Sequence, residues 1–159
     1  MKIAITSNHI RLSLLIFSFA FCTSSAFCQK YDPGIMQTVN TLFDGMRAGD
    51  SSMVRSAFAV GSSMMSVPQN PSDSIAMKTE SINGFVKAVG KPHEQKWDEQ
   101  IYDVKITVDG PMAIVWAPYK FFLGEKFSHC GVNVFTLIKI STGWKISSIT
   151  DTRRKEGCL

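Results

Sequence analysis

The sequence predicts an α+β fold, a curved antiparallel sheet closed into a cone by about three helices in its N-terminal half. Three observations carry that expectation. Apolar residues recur at helical spacing only between Ile35 and Val89. From His93 onward the pattern turns strand-like and is punctuated by Asp109-Gly110, Gly124 and Gly143. Within those strands the apolar phase changes and a proline intervenes, the marks of bulges that bend a sheet. Helices followed by a run of antiparallel strands is the α+β layout.

The first 28 residues stand apart. Lys2 and Arg11 precede an apolar run over residues 12–21, and small residues follow up to Ala26. That order is the one of a secretory signal peptide. The run is about ten residues, half of what a membrane span needs. Cleavage after Ala26 or after Cys28 satisfies the small-residue rule. A lipoprotein anchor is disfavoured because Phe precedes both Cys22 and Cys28, so no stable membrane anchor is expected after cleavage. The expectation is an exported protein, periplasmic or secreted, with one domain over residues 29–159. That length, about 130 residues, suits a single compact core.

The net charge is +4, and loss of Lys2 and Arg11 brings it to about +2, too little to imply a nucleic-acid partner. The densest basic cluster, Arg153-Arg154-Lys155, reads as a solvated strand end. Cleavage after Cys28 leaves Cys130 and Cys158 of the four cysteines. In an oxidising compartment such a pair is expected to be a disulfide. The competing reading, a reactive thiol at Cys130, lacks a neighbour arranged to lower its pKa.

Taken in order, Asp32-Pro33 opens a first helix with Ile35, Val39, Leu42, Phe43 and Met46 on one face. Gly49 ends it and Asp50 caps a second, short helix over residues 51–58. Residues 61–67 form a short strand. Two prolines make residues 68–74 a loop. A third helix, residues 78–89, turns Ile82, Phe85, Val86 and Val89 inward. A long strand over 94–108 changes phase near Ile101–Tyr102, where one bulge is expected. Asp109-Gly110 turns the chain. Residues 112–117 are apolar on both parities, as a strand covered on both faces would be, and Pro118 implies a further bulge or an edge. Residues 127–140 and 144–151 form the last hairpin. Its register sets Cys130 opposite about Lys155, within reach of Cys158, and Asp151 near Val134, diagonal to Asn133.

Ala48-Gly49-Asp50, the three helices and Gly143-Trp144-Lys145-Ile146 together resemble the nuclear transport factor 2-like, or SnoaL-like, superfamily. Within it, Phe127-Ser-His-Cys-Gly131 with Asp151-Thr-Arg-Arg154 resembles a group of secreted bacterial proteins labelled putative lumazine-binding. The resemblance spans nearly the whole chain after the leader. It implies a curved sheet around a pocket and a homodimer formed through the sheet's outer face. The superfamily holds ketosteroid isomerase, scytalone dehydratase and non-catalytic binding domains, so fold alone assigns no activity.

Parity along the hairpin places Phe127, His129, Gly131, Asn133, Phe135 and Leu137 on one face, taken as the cavity side. His129 is the candidate for proton transfer, since imidazole titrates near neutrality; the alternative is a histidine held by one hydrogen bond at a strand end. Asn133 either fixes a ligand carbonyl or amide, or pairs with a buried neighbour. Asp151 either orients a ligand or pairs with Arg153 or Arg154. Trp97, Tyr119 and Phe135 are the aromatic candidates for the wall. No nucleophile elbow, phosphate loop or zinc-like spacing occurs, and no Tyr–Asp pair matches the isomerase pattern by position. No cofactor or metal is expected. The functional expectation is an exported domain with an apolar pocket that binds a small apolar or aromatic organic ligand or serves as an accessory domain. The alternatives are a lyase or isomerase using His129 and Asp151, and a structural dimer whose cavity is filled by its own side chains.

Overall fold

The computed structural model describes residues 31–67 and 78–158; the expected leader with its cleavage sites and the 68–74 loop lie outside the described residues. The fold is α+β: helices α1 (Gly34–Ala48), α2 (Ser51–Ala57) and α3 (Ile82–Val89) pack on an open, curved sheet of seven strands. The strands are β1 (Phe58–Val67), β2 (Lys78–Glu80), β3 (Trp97–Ile101), β4 (Lys105–Asp109), β5 (Met112–Leu123), β6 (Lys126–Ile140) and β7 (Gly143–Thr152). Their order is β2-β1-β7-β6-β5-β3, with β4 also on β5. All pairings are antiparallel except β1 with β7, which run parallel. That exception to the expected antiparallel sheet arises because β1 and β7 are joined by the rest of the chain, not by a turn.

The helices start and stop where local chemistry dictates. Asp32 Oδ1 accepts from Gly34 N–H at 2.9 Å, Lys139 Nζ reaches the other carboxylate oxygen at 2.8 Å and Trp144 Nε1 at 2.9 Å. These three donors hold the Asp32 carboxyl well below the usual carboxylate range and clamp the start of α1 to the last hairpin. Gly49 takes the left-handed conformation at φ 66°, and Asp50 Oδ1 then accepts from Ser52 N–H and Met53 N–H, each at 2.9 Å. Ser81 caps α3 through Gly84 N–H. The third helix is therefore shorter than its periodicity implied: residues 78–80 pair with β1 as an edge strand, and the cap stands at Ser81.

Three register shifts bend the sheet: Phe58/Ser63 against β7, Phe121/Phe122 against β6, and Thr136/Leu137 across the last hairpin. The expected single bulge near Ile101–Tyr102 is instead a full break between β3 and β4, with Asp103 at φ 46°. Pro118 is neither at an edge nor at a bulge. It lies where β5 passes from β4 to β3 as its neighbour, and its carbonyl accepts from Tyr102 N–H at 3.0 Å. The apolar row Ile35, Val39, Leu42, Phe43 of α1 meets Val115, Phe135, Leu137 and Ile146 on the concave face. On the convex face Met112, Ile114 and Trp116 are 43–45% exposed, so β5 is covered on one side only, against expectation. Apolar residues read alike whether they face a core or open solvent, so periodicity does not separate the two.

In the last hairpin, the shift at Thr136/Leu137 moves the register by one. Asn133 lies directly opposite Asp151, and Cys130 pairs with Arg154, not Lys155, through two backbone bonds of 2.8 Å. Cys130, fully buried, is joined to Cys158 with their Cα atoms 5.8 Å apart.

Candidate functional site

Between α3, the end of α1 and the concave face of β3, β5 and β6 lies a cavity of about 660 Å³. Its apolar wall comes from Met46, Phe85, Ala88, Trp97, Phe121 and Leu123. Phe85 and Ala88 share a face of α3 at three-residue spacing, next to the core-buried Val86 and Val89. Trp97 is held by His93, whose ring stacks on it at 4.3 Å, and meets Phe121 edge-on at 6.4 Å. A smaller recess of about 70 Å³ continues inward. Glu80, Glu99, His129 and Arg153 line both spaces, and Tyr119, Asn133, Phe135 and Asp151 line the recess alone.

The sheet therefore gathers all six residues singled out from the sequence. Trp97 and His129 border the main cavity, and Tyr119, Asn133, Phe135 and Asp151 stand at its inner end. Phe135 belongs to the core as much as to the recess, with its ring edge-on to Phe43 at 6.0 Å.

The inner polar groups are tied to one another. Asp151, buried, accepts from Ser66 Oγ, from Tyr119 Oη–H at 3.2 Å and from Arg153 Nε at 2.8 Å. Arg153 also approaches Glu80 at 3.6 Å. Tyr119 Oη lies 3.0 Å from the Thr152 carbonyl, and burial above all raises its phenol above the ordinary range. Of the two roles open to Asp151, the structure thus displays the ion pair. Arg153 is exposed at the strand end, as the basic cluster implied, with its side chain 47% accessible, yet it also borders the cavity. Just before it the Thr152 carbonyl is turned toward the Tyr119 hydroxyl, and Gly131 makes that placement possible, since a Cβ there would sit 1.7 Å from the Thr152 carbonyl oxygen. The room Gly131 leaves is filled by backbone, not left for a ligand.

His129 is flanked by the rings of Tyr119 (5.7 Å) and Phe121 (5.0 Å), and its Nδ1 faces Ser128 Oγ at 3.1 Å. Burial, then the charge of Arg153, push its pKa down, so the neutral imidazole prevails at pH 7.

Glu99 is the residue the sequence reading missed. It shares a face of β3 with Trp97 and Ile101, so an acid between two inward apolar neighbours was the available signal. Asn133 Nδ2 donates to Glu99 Oε1 at 2.6 Å, which gives Asn133 the buried-partner role. Burial pushes the Glu99 carboxyl up to about 7, with the Asp151 charge adding and the Asn133 bond opposing.

A model of one protein family, described as "Putative lumazine-binding", matches residues 30–150. A comparison with curated proteins finds no match. Among solved structures, an NTF2-like protein with a cystatin-like fold from Novosphingobium aromaticivorans is 11% identical, with a TM-score of 0.63 over 79% of this chain and 82% of its own. A protein from the same organism described as a putative scytalone dehydratase is 11% identical, with a TM-score of 0.61 over 77% and 83%. One described as a putative ketosteroid isomerase, from Shewanella frigidimarina, is 17% identical, with a TM-score of 0.56 over 76% and 95%. At such identities these likenesses speak for the fold. The chain belongs to the family described as "Putative lumazine-binding", and its fold is that of the NTF2-like, cystatin-like structures.

Proposed function

We propose that this protein is exported and holds a small organic molecule in the cone's cavity, its apolar or aromatic body against Trp97, Phe85 and Phe121 and its polar end toward His129 and Asn133. The observation that carries this is open space of about 660 Å³ with apolar walls and polar groups collected at one end. Ligand sites have that composition and size. The family's description, which names a small heterocycle, agrees with it. Export is supported by the leader pattern at residues 1–28 and by the Cys130–Cys158 bond, which suits an oxidising compartment. A lyase or isomerase built on His129 and Asp151 has less support, because both oxygens of Asp151 already accept bonds from Ser66, Tyr119 and Arg153. A self-filled cavity has less support for the reason that the space is open. Native mass spectrometry of protein purified under mild conditions is expected to find a bound small molecule. Ala88→Trp, which fills the cavity from α3, is expected to lose most of it while folding normally. Equal retention by the variant would place the molecule elsewhere, and a bare protein in both cases would count against the reading.

The same reading includes a homodimer through the convex face. Met112, Ile114 and Trp116 lie across from Ile138, Thr136 and Val134, and Ile140 extends the row. A contiguous apolar strip of this kind is the mark of a surface that another molecule covers. Sedimentation of the wild type is expected to give a dimer at micromolar concentration and Ile114→Glu a monomer. A monomeric wild type would remove the dimer from the proposal.

A further inference from the structure

The inner end of the cavity is rich in acceptors, and most of its donor groups are already engaged by them. Asn133 donates to Glu99, Tyr119 lies against Asp151 and the Thr152 carbonyl, and Arg153 is engaged by Asp151 and Glu80. Glu99 differs from the other two acids there: among the described residues no cation lies within ion-pair distance of its carboxylate. We propose, building on the cavity reading above, that this end selects an organic amine or other protonated nitrogen base, for which Glu99 is the counter-ion.

The charges around Glu99 favour that ligand over an anion. From β7 and the chain after it come Asp151 and Arg153, from β6 His129, from β5 the buried Tyr119, and from β2 Glu80. Arg153 is neutralised by two carboxylates and His129 is mostly uncharged, so the inner end has a surplus of negative charge whenever Glu99 ionises. Lys78 stands exposed on the cavity's border. On α1, Arg47 binds the Glu99 backbone carbonyl at 3.2 Å, and its other partners are Asp44 and Asp98. α3 offers Phe85 and Ala88 to the cavity, not charge. The walls add to the preference, because an ammonium group near the faces of Trp97 and Phe121 gains from their π-electrons. Burial of Glu99 raises its pKa in the folded chain, so ionising it costs stability as pH rises from the unfolded value toward about 7. A bound cation removes that cost, and binding then releases a proton below about pH 7.

Three probes of one shape test this: 2-(1-naphthyl)ethylamine, 2-(1-naphthyl)ethanol and 1-naphthylacetate, titrated calorimetrically at about pH 8, above the Glu99 transition. The amine is expected to bind about tenfold tighter than the alcohol, as a charge-assisted bond in a desolvated site requires. Glu99→Gln is expected to bring the amine down to the alcohol's affinity. The amine's affinity is also expected to fall by up to about tenfold per pH unit below about 7. Alcohol or acetate binding as tightly as the amine, or an amine preference that survives Glu99→Gln, overturns the inference and leaves the cavity reading standing. If none of the three binds, the cavity reading falls and the inference falls with it.

Discussion

Gly131→Ala is expected to cost about 4 kcal/mol or more of stability, at the upper end of what single substitutions do. The added methyl would lie 1.7 Å from the Thr152 carbonyl oxygen and 2.9 Å from Tyr119 Cε1. The first of these is backbone at the end of β7 and cannot rotate away. Relief requires the Thr152 peptide to move away from β6, and its present position goes with three contacts: the Thr152 carbonyl beside the Tyr119 hydroxyl, the Thr152 hydroxyl under Val132 N–H at 3.2 Å, and Arg153 beside Asp151. Loss of the last exposes a buried carboxylate to an incomplete set of partners, itself a matter of several kcal/mol. Urea denaturation with a helix-signal readout measures the effect. Gly84→Ala is the control, since its Cβ would meet only Ser81 at ordinary contact distance, and helix propensity favours Ala by about 1 kcal/mol. A Gly131→Ala variant within about 1 kcal/mol of wild type would show that the Thr152 peptide shifts cheaply to make room.

Replacing both Cys130 and Cys158 by alanine is expected to lower stability by about 3.5 kcal/mol, the loop-closure value for a bridge spanning roughly thirty residues. The sequence separation is 28 residues, and the loop contains β7 and the part of β6 from Cys130 onward. In the folded chain the bridge backs the Cys130–Arg154 backbone pair, just beyond the end of β7. The expected accompaniment is faster hydrogen exchange at Cys130 and Arg154 than at the α1 amides, because the tail from Arg153 onward is the part the bridge tethers. A loss below about 1 kcal/mol, or exchange that rises equally in α1, would mean that the β6–β7 ladder alone holds the tail.

Both effects turn on residues whose type was legible and whose role was not. Gly131 was placed on the cavity side by parity, and rightly so as a matter of facing. That the Thr152 carbonyl would occupy the space beside Gly131 is a meeting of two strands, and the one-residue shift between Thr136 and Leu137 that sets their register carries no local signal. The same shift put Asp151 opposite Asn133 and Arg154 opposite Cys130. Glu99 was passed over because an acid flanked by Asp98 and Gln100 reads as polar surface. Its burial follows from β3 lying along β5 under α1, a contact between residues far apart in the chain. Met112, Ile114 and Trp116 erred the other way: their apolarity implied a cover that the described residues do not supply.

Local physical chemistry in the sequence settled the α+β class, the caps at Gly49 and Asp50, the turns at Gly110 and Gly143, and which hairpin residues share a face. Those depend on backbone preference and on periods of two and 3.6, which are properties of a few consecutive residues. The tertiary structure alone decided what stands beside what: the Glu99–Asn133 bond, the Asp151 network, and the place of Arg153 on the cavity's border. Each of these is a meeting of strands brought together by curvature. Curvature accumulates from bulges whose positions are chosen by the packing of helices against the whole sheet, and so it is a property of the assembled chain.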